Sequence, residues 1–282
     1  GVHAYTHEYL ATAREDQKFG IAISDVPALV AKIRSHSHLK FLGLHSHIGS
    51  QIFEDDGFIE AAKRLLAIQA ELVKFGEVPE LNLGGGFGIN YTTADEAPDI
   101  ESIAFKIAEG VAAECAALGI AVPVLAFEPG RIIVGPTGVT LYTVGTIKDV
   151  ALTEEGAGAV RKYVSIDGGM SDNARPSLYD AAYTVRLASR ASSAQPALVR
   201  VVGKHCESGD IVVRDDYLPG DISNNDIVAV AATGAYCSSL SSNYNMLTRP
   251  PVVAISQGQA RLIVRGETEA DLFARDLRYQ EL

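Results

Sequence analysis

The chain has 282 residues, 47% of them hydrophobic, and carries a formal net charge of -11 at pH 7. It contains no apolar run long enough to cross a bilayer, and its acidic character disfavours binding to nucleic acid or to an anionic membrane. The 3 cysteines are far apart and form no paired motif, which argues against a disulfide framework or a structural zinc site. These properties favour a globular protein of the reducing cytoplasm, without nucleic-acid or membrane partners.

The first part of the chain alternates short apolar runs with stretches of helical periodicity. The predicted elements, in chain order, are a helix at 24–34, a strand at 41–44, a helix at 57–75, a strand at 81–83, a helix at 99–118 and a strand at 122–127. This order is typical of a parallel sheet covered by helices. Because a (β/α)8 barrel takes roughly 250 residues, residues 1–135 are expected to form only the C-terminal part of one.

After residue 135 the pattern changes to short β-rich runs separated by turn residues. The predicted strands lie at 139–150, 162–166, 198–202, 211–213, 227–231, 252–256 and 260–264, and a short helix is predicted at 267–275. Residues 136–282 are therefore expected to form a β-rich domain of Greek-key or sandwich type. The predicted fold class is α/β plus all-β.

A polar motif follows each predicted strand of the first part. The motifs are His-Ile-Gly-Ser-Gln at 47–51, Gly-Gly-Gly-Phe-Gly at 84–88 and Glu-Pro-Gly-Arg at 128–131. Strand ends carry the chemistry of α/β folds, and glycine amides near Arg131 suit a phosphate, whereas Glu128 suits a positively charged ring. Pyridoxal phosphate has both groups and is the predicted cofactor. Alternatively, the glycine run is only a tight strand exit.

Two histidines of the first motif region, His45 and His47, are two residues apart and would point to the same side of a strand. A metal pair is one interpretation, but no third ligand follows at a recognisable spacing. The pattern therefore favours His47 as a neutral imidazole that lies flat against a cofactor ring, and no metal site is predicted.

The β-rich half contains further residues with chemical potential. Cys206 lies in Cys-Glu-Ser-Gly-Asp, a polar setting in which a thiol could donate a proton, whereas Cys115 lies among alanines and is expected in the core. Arg175 and Tyr179 are four residues apart and could bind a carboxylate, or could belong to a solvated loop. Tyr236 would present a phenol at a strand end.

Taken together, these motifs resemble the diaminopimelate decarboxylases, a family of fold-type III pyridoxal phosphate enzymes with an alanine-racemase-like barrel. The blocks that carry the resemblance are 3–8, 18–20, 45–51, 84–88, 128–131, 167–173 with Arg175, Pro176 and Tyr179, 206–210, 234–237 and 243–245. They cover essentially the whole chain in the family's order. The resemblance implies decarboxylation of meso-2,6-diaminopimelate to L-lysine, the last step of lysine biosynthesis.

The resemblance also implies how the cofactor would be bound. His47 would stack on the pyridine ring, Glu128 would pair with the ring nitrogen, and Arg131 would lie between the phosphate and the substrate. The remaining residues implied in cofactor binding are Ser50, Gly84, Gly85 and Gly86 at the phosphate, with Pro129, Gly130 and Tyr236.

A second set of residues would bind the substrate, again by resemblance. Arg175, Tyr179 and Glu207 would hold the distal amino-acid end, and Tyr236 would touch both cofactor and substrate. Cys206 would give a proton to the α-carbon after carbon dioxide leaves. The family completes its active site across a homodimer, so Cys206 and Glu207 would serve the cofactor of the other subunit.

One departure from the family concerns the lysine that forms the Schiff base. In the family it lies in an early barrel strand within a Tyr-x-x-Lys-Ala motif, and no lysine of this sequence has that context. The sequence thus resembles the C-terminal portion of the enzyme. The expectation is either that it belongs to a longer protein or that this chain alone cannot form the Schiff base.

Two alternative functions follow from the same motifs. A related decarboxylase acting on ornithine, arginine or carboxynorspermidine is disfavoured, because Arg175, Tyr179 and Glu207 suit a zwitterionic distal end. A non-catalytic pyridoxal phosphate-binding homologue is favoured by the lysine's absence and disfavoured by the presence of Cys206.

Overall fold

The computed structural model describes residues 18–152 and 158–280, so the block at 3–8 lies outside the described residues. The chain divides into two compact units. The first comprises the residues up to Asn90 together with Ala94–Val134, and the second comprises Tyr91–Thr93 together with the residues from Gly135 onward. In the described part of the chain, no helix is both long and apolar enough to cross a membrane.

The first unit is a parallel sheet with helices between its strands. Its elements are α1 (Val26–Arg34), β1 (Gly43–His45), α2 (Asp56–Leu72), β2 (Glu80–Asn82), α3 (Ile100–Leu118), β3 (Val124–Ala126) and α4 (Arg131–Val134). The strand order is β1-β2-β3, with Leu44 beside Leu81 and Leu81 beside Leu125. The predicted strand–helix alternation is confirmed, with each strand ending at a polar motif.

The periodicity of α2 and α3 fixes the core of this unit. Phe58 of α2 and Ile107 of α3 are fully buried, and the Phe58 ring stacks on Phe87 with centroids 4.8 Å apart. Burying an apolar side chain of this size contributes about 1.5–3 kcal/mol. Asp99 caps the N-terminus of helix α3, where its carboxylate accepts the Ser102 N–H at 3.0 Å. Cys115 is buried in this core, as predicted.

The second unit is dominated by one six-stranded sheet. Its strands are β4 (Val139–Ala151), β5 (Val160–Ile166), β6 (Val185–Leu187), β7 (Pro196–Val202), β8 (Ile211–Pro219) and β9 (Ile227–Ala231), in the order β6-β9-β4-β5-β7-β8. The 13 residues of β4 pair with β9 along 139–143 and with β5 along 144–151, and the β4–β5 register shifts between Val144 and Ile147. The two edge strands also meet, since the Val185 N–H donates to Asp216 Oδ2 at 2.9 Å. The sheet therefore curls towards closure.

Short elements surround this sheet. They are α5 (Arg175–Tyr179), α6 (Cys237–Leu240), the hairpin β10 (Val252–Ser256) and β11 (Gln259–Val264), α7 (Glu269–Phe273) and α8 (Leu277–Gln280). The core under the sheet is made of alternating valines such as Val164, Val199 and Val228, all fully buried. The predicted β-rich second part is thus confirmed.

Candidate active site

At the end of β1, His47 has a defined protonation state. The Gly85 N–H donates to His47 Nδ1 at 3.2 Å, so that nitrogen is the acceptor and the ring proton lies on Nε2. Burial lowers the pKa of His47, the neighbouring His45 lowers it further, and Glu128 opposes both. The imidazole is therefore neutral at pH 7, the state in which His47 was predicted to lie against a cofactor ring.

The glycine run after β2 lies where three backbone segments converge. A Cβ atom on Gly85 would lie 2.2 Å from the Glu128 carbonyl oxygen, and one on Gly86 would lie 2.3 Å from the Gly49 carbonyl oxygen. Gly84 and Gly86 also have positive φ angles, of 69° and 105°. Close packing of the strand ends is thus sufficient to require glycine here.

The amides of this run differ in their availability. The Gly84 N–H donates to Asn82 Oδ1 at 2.8 Å, and the Gly85 N–H is used by His47. Among the described residues, no acceptor faces the Gly86 N–H. Of the three amides predicted to bind phosphate, Gly86 is therefore the one that presents an open donor.

Arg131 and Ser50, predicted to bind one phosphate, are in direct contact. Arg131 is the first residue of α4, and the segment Glu128-Pro129-Gly130 joins α4 to β3. The Arg131 side chain is buried. Its Nη2 donates to Ser50 Oγ at 2.5 Å. A guanidinium, a hydroxyl and the nearby Gly86 amide form a donor set that fits a phosphate.

Glu128 is held from one side by a residue that the sequence reasoning missed. Asn82, the last residue of β2, donates from Nδ2 to Glu128 Oε1 at 2.9 Å while its Oδ1 accepts the Gly84 amide. His45 Nε2 lies 3.4 Å from the same carboxylate oxygen. The sequence signal that could have revealed this residue is the amide side chain of Asn82, which interrupts the apolar run 81–83. The Glu128 side chain remains 55% exposed and can accept a hydrogen bond from a further donor.

In the second unit, Arg175 lies within a cluster of tyrosines. It is only 4% exposed, and its guanidinium carbon lies 4.6, 5.6 and 5.8 Å from the ring centroids of Tyr91, Tyr183 and Tyr236. Its Nη1 donates to the Tyr183 hydroxyl at 2.5 Å. Arg175 opens a helix rather than lying in a solvated loop, so that alternative is wrong. Tyr179, at the end of α5, is half-buried.

Two members of this cluster were not foreseen. Burial raises the pKa of Tyr183 well above its ordinary value although Arg175 opposes the shift, so this phenol stays neutral. Its oxygen also lies 3.6 Å from Cys237 Sγ, which in turn donates to Asn173 Oδ1. Tyr91 is far from Arg175 in the sequence, so no local pattern could have predicted the contact. Tyr236 precedes α6 rather than ending a strand.

A second cluster of this unit contains Cys206 and Glu207, which are both exposed. Asn245 Nδ2 lies 3.9 Å from Cys206 Sγ, and the Tyr244 hydroxyl donates to Glu207 Oε1. Within residues 18–152 and 158–280, no group of three or more His, Cys, Asp or Glu side chains could hold a metal ion.

Comparison with known proteins identifies the family. Residues 1–135 match the family model described as pyridoxal-dependent decarboxylase, pyridoxal binding domain. Over 99% of its length the chain is 51% identical to the diaminopimelate decarboxylase of Mycobacterium tuberculosis strain H37Rv and 53% identical to that of Mycobacterium leprae. Residues 1–135 therefore belong to the pyridoxal-dependent decarboxylases, and the chain as a whole is similar to diaminopimelate decarboxylases. It spans 63% and 60% of these two relatives.

Solved structures of pyridoxal-dependent decarboxylases support this assignment. The diaminopimelate decarboxylase of Helicobacter pylori complexed with L-lysine matches with a TM-score of 0.85 and 28% identity, covering 100% of this chain and 65% of that one. The enzyme of M. jannaschii in complex with L-lysine matches with a TM-score of 0.86 and 31% identity, covering 98% and 61%. The fold class is confirmed as part of a (β/α)8 barrel followed by a β-rich domain. Pyridoxal phosphate is the cofactor of this family, as predicted.

Proposed function

We propose that the protein containing this chain decarboxylates meso-diaminopimelate to L-lysine with pyridoxal phosphate as cofactor. The observation that carries the proposal is the identity of 51% to 53%, over 99% of the chain, to enzymes of that name. We further propose that residues 1–135 bind the cofactor and that residues 136–282 form the β-rich domain.

The cofactor end of the proposal is supported by the residues at the strand ends of the first unit. Bound pyridoxal phosphate would supply an electron sink for the substrate α-carbon. Ser50, Arg131 and Gly86 would hold the phosphate, and Gly84 and Gly85 would support it by close packing of the backbone. Glu128 would keep the ring nitrogen protonated, and His47 would lie against the ring. Pro129 and Gly130 link Glu128 to Arg131.

The substrate end is supported by the tyrosine-lined arginine of the second unit. Arg175 keeps its charge in a buried setting, where a charge-assisted hydrogen bond to a carboxylate is strong. With Tyr179, Tyr236 and Glu207 it would read the carboxylate and amino groups of a distal amino-acid centre. A substrate that ends in a lone amine would offer Arg175 no carboxylate, which disfavours ornithine as the substrate.

Cys206 would donate the proton that replaces the lost carboxylate. The Cys206 S–H bond would break, and its proton would form a C–H bond at the α-carbon in place of the lost carboxylate. We propose that the enzyme is a homodimer in which Cys206 and Glu207 serve the other subunit's cofactor. A cytoplasmic location suits this role, because Cys206 must remain a reduced thiol.

The shared site can be tested by mixing two inactive variants of the protein at its natural length, Cys206→Ala and Glu128→Ala. A mixed dimer then has one site with both residues and one site with neither. After random subunit exchange, we expect activity to recover to about a quarter of the wild-type value. Activity that stays absent after exchange is verified by mass spectrometry would place Cys206 and Glu128 of one subunit in the same site.

The proposed reaction itself is tested by its products. The protein at its natural length, supplied with pyridoxal phosphate and meso-diaminopimelate, should release carbon dioxide and L-lysine in equal amounts. Carbon dioxide without lysine, or no release, would contradict the proposal.

A further inference from the structure

The segment Asn243-Tyr244-Asn245 belongs to the blocks that carry the family resemblance, yet none of the roles above uses it. All three side chains make polar contacts within the second unit, and two of them reach Cys206 and Glu207. Cys206 and Glu207 lie on an exposed turn between β7 and β8.

A hydrogen-bonded chain fixes the orientation of the Asn245 amide. The Ser171 N–H donates to His205 Nε2 at 3.3 Å, so that nitrogen is the acceptor and the ring proton lies on Nδ1. His205 Nδ1 then donates to Asn245 Oδ1 at 3.0 Å. With its oxygen engaged there, Asn245 turns its Nδ2 towards Cys206 Sγ, 3.9 Å away. His205 is buried, whereas Asn245 and Cys206 are exposed, so the buried imidazole anchors an amide that lies at the surface.

Tyr244 holds Glu207 in a comparable way. Its ring stacks on the His205 ring with centroids 5.4 Å apart, and its hydroxyl donates to Glu207 Oε1. The hydrogen bond to Glu207 and burial raise the pKa of Tyr244, so the phenol remains a donor at neutral pH. Stacking fixes the ring, and the ring in turn fixes the position of the donor.

The side chain of Asn243 anchors the start of the segment. Asn243 Nδ2 donates to Glu267 Oε2 at 2.6 Å and to the Leu247 carbonyl at 3.0 Å, and Glu267 also pairs with Arg249. Asn245 has a φ of 54°, a left-handed conformation that asparagine tolerates better than most residues. These contacts and the left-handed backbone at Asn245 define the conformation of the segment.

We propose that Asn245 and Tyr244 are positioning residues for Cys206 and Glu207, and this inference rests on the proposed function. When the Cys206 S–H proton moves to the α-carbon, the sulfur keeps the electron pair, and the Asn245 N–H donates to the resulting thiolate until solvent returns a proton. Tyr244 holds the Glu207 carboxylate in place for the distal amino group of the substrate. The two positioning residues therefore act on different kinetic constants.

The most specific substitution for testing Asn245 is Asn245→Asp. It keeps the size of the side chain, its tolerance of the left-handed conformation and its acceptor for His205, but removes the N–H that faces Cys206. In the protein at its natural length, kcat should fall about tenfold to a hundredfold with KM nearly unchanged. Asn225→Asp makes the same chemical change at another exposed asparagine of positive φ and should leave both constants unchanged.

The second variant, Tyr244→Phe, removes the hydroxyl and keeps the ring that stacks on His205. Its expected effect is an increase of KM by about tenfold with little change in kcat, because Glu207 binds substrate but does not transfer the proton. Tyr217→Phe, on an exposed tyrosine of β8, is the matched control.

A readout without turnover is the rate at which iodoacetamide alkylates Cys206, followed by mass spectrometry. Cys206 is exposed while Cys115 and Cys237 are buried, so the reaction reports on one thiol. A carboxylate at position 245 should repel the reactive thiolate and slow alkylation about threefold to tenfold. Unchanged alkylation together with unchanged kcat in Asn245→Asp would overturn the inference. If the wild-type protein at its natural length has no decarboxylase activity, the proposed function is overturned instead. The alkylation rates would still report whether Asn245 faces the thiol.

Discussion

Replacing Arg175 by alanine should raise KM for meso-diaminopimelate roughly tenfold to a hundred and fifty fold, with a smaller change in kcat. The guanidinium is buried among tyrosines, and loss of a charge-assisted hydrogen bond costs about 1.5 to 3 kcal/mol. Steady-state kinetics of the protein at its natural length give both constants. Arg175→Lys should recover only part of the effect, because lysine keeps the charge but lacks the planar fork of donors.

The matched control for Arg175 is Arg214→Ala. The Arg214 side chain is 62% exposed and lies 3.8 Å from Asp180, a pair that contributes little to stability. Its removal should leave KM unchanged. Thermal unfolding should show that both variants remain folded, and a folded Arg175→Ala protein with the KM of the wild type would exclude Arg175 from substrate binding.

Replacing Glu128 by glutamine should lower kcat about a hundredfold while pyridoxal phosphate still binds. A glutamine oxygen can accept the Asn82 N–H as the carboxylate does, so the geometry is kept and the negative charge alone is lost. Without that charge the ring nitrogen would not stay protonated, and assistance by a positioned acid or base is typically worth 10²–10⁴-fold. The measurement is kcat at saturating substrate with cofactor occupancy determined on the same sample.

Glu60→Gln provides the control for this substitution. Glu60 pairs with Arg64 on the exposed face of α2, a surface pair whose loss should not affect turnover. If Glu128→Gln also keeps the kcat of the wild type at full cofactor occupancy, Glu128 is a structural residue.

The sequence predicts the first unit well because its signals are local. Helical periodicity reports which face of α2 and α3 is buried, and polar motifs at strand ends report where parallel strands finish. The contacts of Asn82 with Glu128, 46 positions apart, are not encoded in any local pattern. The sequence alone allows the glycine run to be either a phosphate-binding loop or a tight strand exit. Only the short distances from added Cβ atoms to the carbonyl oxygens of Gly49 and Glu128 show that close packing requires glycine.

The second unit shows where such prediction ends. The strand predicted at 211–213 extends to Pro219, because the polar residues that follow face outward and Asp215 pairs with Arg161 and Arg200. β6, at Val185–Leu187, is too short to give a pattern and forms by pairing with β9. Burial of Arg175 depends on Tyr91, which lies far away in the sequence, so only the folded chain reveals that environment.

The most direct test of the account compares substrates. For the protein at its natural length, kcat/KM is measured for meso-diaminopimelate and for ornithine under the same conditions. Ornithine lacks the distal carboxylate that would pair with the buried Arg175, so we expect meso-diaminopimelate to be preferred by at least about a hundredfold. Equal values of kcat/KM for the two substrates would contradict the proposed function.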